Sequence, residues 1–421
     1  MRFFTGRAIT NMGDSLYLIG ALWLVHDLTG STLFTGVAGF LLRAPQLVQF
    51  LAGPLVDRWD LRRTLVATQI LQGVFVLVIP LASLFDLLTV WVVIGVIPTL
   101  SLISRLQYPA QSATLPQIVR DDQLVRANSL FNLTGRTADI AFNAGAGVLI
   151  ALVGAVQLFI IDAATFAIAT VLFLGITIDE SGGEEQGETG ESNGSEKDED
   201  GESDEDFLDS YIRDLKDGVS YMRGSLFIPI GIGGMVANFG AGVTTAVFPA
   251  FADSFGGAET YGILMATIVA GNLAGAAGSW IVEDLPYGLF AIGGYTVTGV
   301  ATAAAVFFRG PLVTPALLFI SFIPVGAFNV LLGSLLQSAV DDDYLGRVSS
   351  AFSSLTMVTL PLGSLVGGVV GDVFTPGSGL YLIGGTVLAL ALFFALNSQI
   401  RGLPRVADLD AEQVGLGTDT S

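Results

Sequence analysis

Five ionisable side chains interrupt stretches of sequence that are otherwise apolar: Asp14, Arg43, Arg136, Asp139 and Asp162. Charge in such a setting is expensive and marks an ion or substrate path. Arg136 and Asp139 stand three apart, so on a helix they share a face and can pair. A carboxylate beside an arginine can exchange protons, its affinity set by burial and by the cation. The same pair can also be a structural ion pair that fixes helix packing. Counting about 1.5 Å per residue from the start of each apolar stretch, Arg43 and Arg136 fall near mid-depth. Asp14 lies toward one face, Asp139 and Asp162 toward the other. The N-terminal half is therefore expected to hold a polar network, with Asp14, Arg136 and Asp139 as proton-coupling candidates and Asp162 as a structural residue.

The C-terminal half offers amides in place of charges. Asn238, Asn272 and Asn329 are its cavity candidates, alongside Arg43, Asn132 and Asn143 of the first half. Each can bond a substrate or another helix. Phe239 and Phe248 are candidates for an apolar cavity wall, and the single histidine, His26, reads as an interface residue. Without cysteine there is no thiolate metal site and no disulfide. No Ser–His or metal constellation falls at one depth, and no Gly-x-x-x-x-Gly-Lys-[Ser/Thr] loop is present for ATP. The chain is read as a non-enzyme with no cofactor.

The elements that must position these groups follow from composition. Of 421 residues, 52% are hydrophobic and 13% charged, against about 25% charged in ordinary soluble domains, and the mean hydropathy is +0.69. Twelve stretches are long enough to span a bilayer as helices: about 7–27, 33–55, 63–85, 88–108, 125–152, 155–178, 224–251, 259–282, 287–308, 312–337, 346–372 and 379–400. The alternation of a membrane barrel is absent. The fold class is an all-α membrane protein. Pro45, Pro249, Pro315, Pro324 and Pro361 lie within spans and are expected to kink them.

Cations orient the bundle. With the N-terminus in the cytoplasm, Arg2, Arg7, Arg58, Arg62, Arg63, Arg120, Arg126, Lys197, Arg213, Lys216, Arg223, Arg347, Arg401 and Arg405 all face inward, and only Arg309 falls in an outer loop. Both termini are expected in the cytoplasm of a multi-pass cell-membrane protein. The first span is read as a retained helix rather than a cleaved signal.

The net charge is −20, which speaks against nucleic acid or anionic headgroups as partners. Much of it is local: residues 179–218 carry 17 acidic and 3 basic side chains. An acidic chain with two lysines suggests a salt-loving host. The Gly/Ser-diluted acidic run is expected to be disordered. Beyond it, Leu208, Ile212, Leu215 and Val219 have the spacing of a short amphipathic helix lying along the inner membrane surface.

That loop separates six spans from six, and a repeat supports the division. The segment Val119-Arg-Asp-Asp-Gln-Leu-Val-Arg-Ala-Asn-Ser-Leu-Phe131 matches Val340-Asp-Asp-Asp-Tyr-Leu-Gly-Arg-Val-Ser-Ser-Ala-Phe352 at an offset of 221, with seven identities in thirteen. Two halves repeating in the same sense are the layout of transporters with a central cavity.

After the second span comes Gly53-Pro-Leu-Val-Asp-Arg-Trp-Asp-Leu-Arg-Arg63. Here the chain resembles the major facilitator superfamily, whose signature reads roughly G-x-L-x-D-R-x-G-R-R. Gly53, Leu55, Asp57, Arg58 and Arg62 match; Asp60 replaces the usual glycine and Leu61 a basic residue. The finer pattern is similar to the macrolide-efflux and enterobactin-exporter branch, through Gly13-Asp14, Leu28-Thr-Gly-Ser31, Asp162-Ala-Ala-Thr-Phe166 and Gly346-Arg347-Val348. The resemblance implies a gating motif of Gly53, Asp57, Arg58, Arg62 and Arg63, with Asp57 latching onto the chain near Leu345 to Val348. The arginines are also readable as topology anchors. The matching loop of the second half, near Gly278 to Pro286, has no basic residue, so its latch is expected to be weak. Asn143-Ala-Gly-Ala-Gly147 sits where antiporters of this superfamily carry a proline-led glycine motif, but the proline is missing. Plain helix packing explains it equally, as it does its counterpart Pro361-Leu-Gly-Ser-Leu-Val-Gly-Gly368.

The expectation is an N-terminal half over 1–178, a connecting loop over 179–223, a C-terminal half over 224–400 and a cytoplasmic tail over 401–421. The function read from it is alternating-access export of amphipathic small molecules, drug- or siderophore-like, against protons, by a monomer in the bilayer. Two alternatives stand beside it: a uniporter or importer of a neutral solute, and a membrane scaffold or sensor with an acidic partner-binding loop.

Overall fold

The computed structural model describes residues 2–51, 59–120, 123–124, 126–131, 146, 148–176, 213, 215–340 and 342–409. Asp57, Arg58, Gly53, Asn132, Arg136, Asp139 and Asn143 lie outside these residues, as does the acidic run of the connecting loop.

Twelve helices of twelve residues or more occur among the described residues. In the first half these are α1 (Arg2–Thr29), α2 (Thr32–Arg43), α3 (Leu61–Leu84), α4 (Val90–Ile118) and α5 (Ala155–Leu174). In the second they are α6 (Phe227–Asp253), α7 (Gly257–Ala277), α8 (Tyr287–Phe307), α9 (Val313–Ala339), α10 (Asp342–Met357), α11 (Thr359–Val373) and α12 (Pro376–Leu396). Ten helical segments, α10 and α11 counted as one, are long and apolar enough to cross a membrane. The second and fifth expected spans fall partly on residues outside the description.

The 221-residue offset extends beyond the short repeat: it carries α3, α4 and α5 onto α8, α9 and α12 to within a few residues. The packing repeats with it. α5 lies against α1 and α3, as α12 lies against α6 and α8.

Local chemistry sets the breaks. Ser31 caps α2 by accepting from the Phe34 N–H, and Thr375 caps α12 by accepting from Ser378. α2 gives way to 3₁₀ winding at Ala44, just ahead of Pro45, which has no N–H to continue the α-helical ladder. The expected kink at Pro361 lies upstream of the ring itself: α10 ends at Met357, four residues before it, because proline has no N–H to offer that carbonyl and crowds it. α4 runs on to Ile118, ten residues past its expected end.

Small residues set the helix approaches, as expected where lipid supplies no hydrophobic drive between helices. Gly6, Gly13 and Gly20 of α1, seven apart, meet Phe173, Asp162 and Leu158 of α5. On α11, Gly363 and Gly367 meet Phe239 and Val243 of α6, while Gly368 meets Gly36 of α2. The last contact joins the two halves.

Two features add detail to the expectation. Residues 215–222 form a helix with one side on protein: Gly218 abuts the Arg347 backbone, the Tyr221 ring stacks on Tyr344 with centroids 4.4 Å apart, and Met222 is buried. Of the expected apolar face, Val219 is exposed and Leu215 half-buried, while Leu208 and Ile212 lie outside the described residues. The start of the tail also folds back. The Tyr287 N–H donates to the Pro404 carbonyl, Leu403, Val406 and Leu409 are buried, and Arg405 pairs with Asp284 at 3.0 Å. The tail thus supplies the cation that the 278–286 loop lacks.

Candidate functional site

The first half contains a small cavity of about 100 Å³, walled in part by Asp14, Arg43, Gln72, Arg105 and Asp162. α1 contributes Asp14, α2 Arg43, α3 Gln72, α4 Arg105 and α5 Asp162. Two of the predicted polar residues, Asp14 and Arg43, meet here as expected. Asp162 corrects the depth reading. It was placed toward the opposite face from Asp14, yet its carboxyl lies against Gly13 and fully buried. The reason is the length of α1: it starts at Arg2 and runs to Thr29, so Asp14 is near its middle rather than toward one end. Oδ1 of Asp162 accepts from the Thr165 hydroxyl at 3.3 Å, and Oδ2 is buried with no partner among the described residues. A buried oxygen without a partner is costly.

Below this cluster runs a polar ladder that the sequence reading missed. Arg7, counted there only as an inward-facing cation, is buried; it donates to Oε1 of Gln111 and its guanidinium lies 3.4 Å from the Phe131 ring centre. Gln107 donates to Gln72, and the Thr10 hydroxyl donates to Gln69 at 3.2 Å. The signal was present as amides at helical spacing, 69/72 and 107/111, inside apolar spans.

The second half contains a larger cavity of about 520 Å³ between α6, α7, α8, α9, α10 and α12. Asn238, Asn272 and Asn329 all line it, as does Phe248. Phe239 does not; its backbone packs on Gly363 of α11. Asn238 and Asn272 donate to carbonyls of their own helices, four residues back, at 3.1 and 3.4 Å. Asn329 is exposed to the cavity and makes no hydrogen bond among the described residues. Tyr295 is buried at the wall, edge-on to Phe394 and beside Phe328, and its hydroxyl has no partner among the described residues. At the 221-residue offset Gln69, Gln107 and Gln111 correspond to Phe290, Phe328 and Leu332, which line this cavity. One half is polar where the other is aromatic.

The halves meet tightly at the end of the bundle bearing the α1–α2 turn. Ser31 Oγ donates to Asp372 at 2.7 Å, Thr32 Oγ1 to the Gly368 carbonyl at 2.9 Å, and Ser364 Oγ to the Gly36 carbonyl at 3.1 Å. Trp23 stacks on Tyr261 with centroids 5.4 Å apart. His26, at the end of α1, is buried between the halves with Nε2 3.5 Å from Asp253 of α6.

Two residues of the expected gating motif are described. Arg62 donates to the Leu174 carbonyl at the end of α5, where a helix leaves carbonyls unpaired. Arg63 is exposed and pairs with Asp60 at 3.4 Å. Asp60, standing in the usual glycine position, caps α3 through the Arg63 N–H at 2.8 Å.

A repeat of two helical halves, closed on each other at one end, is the architecture of a known transporter family, and the family model of the Major Facilitator Superfamily matches residues 3–363. The chain belongs to that superfamily. Members similar to it include the uncharacterized MFS-type transporter YvqJ of Bacillus subtilis, 25% identical over 92% of this chain and 89% of the relative. Macrolide efflux protein A of Streptococcus pyogenes is 22% identical over 96% of this chain and 97% of its own length. Among solved folds, the nucleoside transporter NupG superposes with a TM-score of 0.67 at 14% identity, over 94% of this chain and 98% of NupG. A bacterial homologue of the iron transporter ferroportin in an inward-facing state gives 0.65 at 15%, over 94% and 97%. As a superfamily member the chain is a multi-pass membrane transporter, not an enzyme.

Proposed function

We propose that this transporter exports neutral or weakly charged amphipathic small molecules, with the cavity of the second half as their site and the Asp14 cluster of the first half as the proton site. The observation that carries the reading is the wall chemistry: aromatic rings with a few separated polar groups, of which the Asn329 amide and the Tyr295 hydroxyl have no partner among the described residues. Apolar walls with a few placed polar groups are the pattern of small-molecule sites. Export is supported by the similarity to a macrolide efflux protein. Proton coupling is supported by two carboxylates and two arginines around one buried space, where moving a proton changes the charge balance most.

With both termini in the cytoplasm, as the cation distribution implies, the closed end is extracellular and the molecule is inward-facing. Export then requires the α2–α11 contact to part and the opposite end to close. In this reading the Gly53–Arg63 loop takes part in that closure, Asp57 against the start of α10.

The test is reconstitution into proteoliposomes with an imposed pH gradient, using lipophilic cations, macrolides and siderophores as substrates. Uphill movement that collapses with the gradient is expected. Downhill movement indifferent to pH would replace this reading with a uniporter.

A further inference from the structure

The net charge of −20 speaks against acidic partners for the chain as a whole, but one groove reverses that locally. It lies where the connecting helix enters the second half, between residues 215–226, the start of α6 and the end of α12, and encloses about 980 Å³. Its apolar side is formed by Ile228 and Ile232 of α6 and Phe393 of α12, which are 38%, 43% and 43% exposed. On a membrane-spanning bundle such residues at helix ends face lipid.

The rim is cationic. Lys216 and Arg223 both line the groove and are exposed, and neither side chain forms an ion pair or hydrogen bond among the described residues. Lys216 stands on the helix and Arg223 in the turn that ends it, with Ser220 between them also lining the groove. Arg213, also exposed and helical, stands one turn before Lys216. Asp217 does not line the groove. The helix cannot turn these cations elsewhere, because its opposite face is fixed on α10 through Gly218 and Tyr221. Two ammonium or guanidinium groups above an apolar slot at the level where spans end match a phosphate with acyl chains attached.

We propose that this groove binds an anionic phospholipid, its phosphate between Lys216 and Arg223 and its chains along Ile228, Ile232 and Phe393. The lipid would tie the connecting helix to both α6 and α12. The inference does not depend on the substrate or on proton coupling.

The experiment is native mass spectrometry of the purified full-length protein titrated with phosphatidylglycerol or phosphatidylcholine of identical chains, with inorganic phosphate as a competitor. Phosphatidylglycerol is expected to bind preferentially and to persist at phosphate concentrations that would displace a simple anion. The double variant Lys216→Gln/Arg223→Gln should weaken phosphatidylglycerol binding roughly 10- to 30-fold, while Lys216→Arg/Arg223→Lys should retain it. Unchanged thermal unfolding of the double variant in phosphatidylcholine confirms that the fold is intact. Equal binding of the two lipids, displacement by phosphate, or undiminished phosphatidylglycerol binding by the intact double variant would each overturn the proposal.

Discussion

Gly13 of α1 lies directly against the carboxyl group of Asp162 on α5, two residues 149 positions apart in the chain. The absence of a side chain at position 13 lets a buried acid occupy the space between two helices, one residue from Asp14. That contact joins the packing of the first half to its polar chemistry.

The contact predicts a graded response to added methyl groups. A Cβ at Gly13 would overlap both the Asp162 carboxyl and the Thr165 hydroxyl, whereas at Gly20 it would meet Leu158 Cδ1 at 3.3 Å and at Gly95 it would meet open space. Gly13→Ala should destabilise by about 1–3 kcal/mol, as overpacking does, with Gly20→Ala milder and Gly95→Ala near neutral. Thermal unfolding in detergent measures the order.

Asp14 and Asp162 line one cavity, so the proton-coupling role is tested on both. Purified protein in weak buffer should release protons on substrate addition. Asp14→Asn and Asp162→Asn should each abolish that release while leaving substrate binding within about threefold, since the amide keeps the shape and one oxygen. Release that survives in both variants would move coupling away from this cluster.

The second cavity separates binding from stability. Tyr295→Phe removes a buried hydroxyl that has no partner among the described residues, so it should change unfolding by less than about 1 kcal/mol. If that hydroxyl serves substrate, the same variant weakens binding about fivefold, a loss of about one hydrogen bond. Asn329→Leu should weaken it similarly. Calorimetric titration beside unfolding curves reads both, and unchanged affinity in both variants would place the substrate elsewhere.

The closed end can be trapped because the chain has no cysteine. Ser31 and Asp372 are in hydrogen-bond contact across the halves, so Ser31→Cys/Asp372→Cys should crosslink with a short reagent and block transport until reduced. Gly36→Ala, whose Cβ would meet the Gly368 Cα at 2.8 Å, should slow that crosslinking by favouring separation. Rapid crosslinking without loss of transport would show that this end does not need to open.

Hydropathy alone identified most of the spans, because leaving water is a property each segment carries by itself. The amino-acid sequence also determined the two-fold repeat and the three asparagines that share one cavity. The tertiary structure decided lateral neighbours and depth. Asp162 reaches Asp14 because glycines seven apart on α1 set the register against α5, and the sequence does not say which helix a glycine faces. The same limit hid the glutamine ladder, whose members are unremarkable until three helices bring them together. It hid the closed end too, where Gly36 and Gly368 meet across more than three hundred residues. Within lipid, where apolar faces are interchangeable, close fit and hydrogen bonds choose the partners, and those exist only once the helices are assembled.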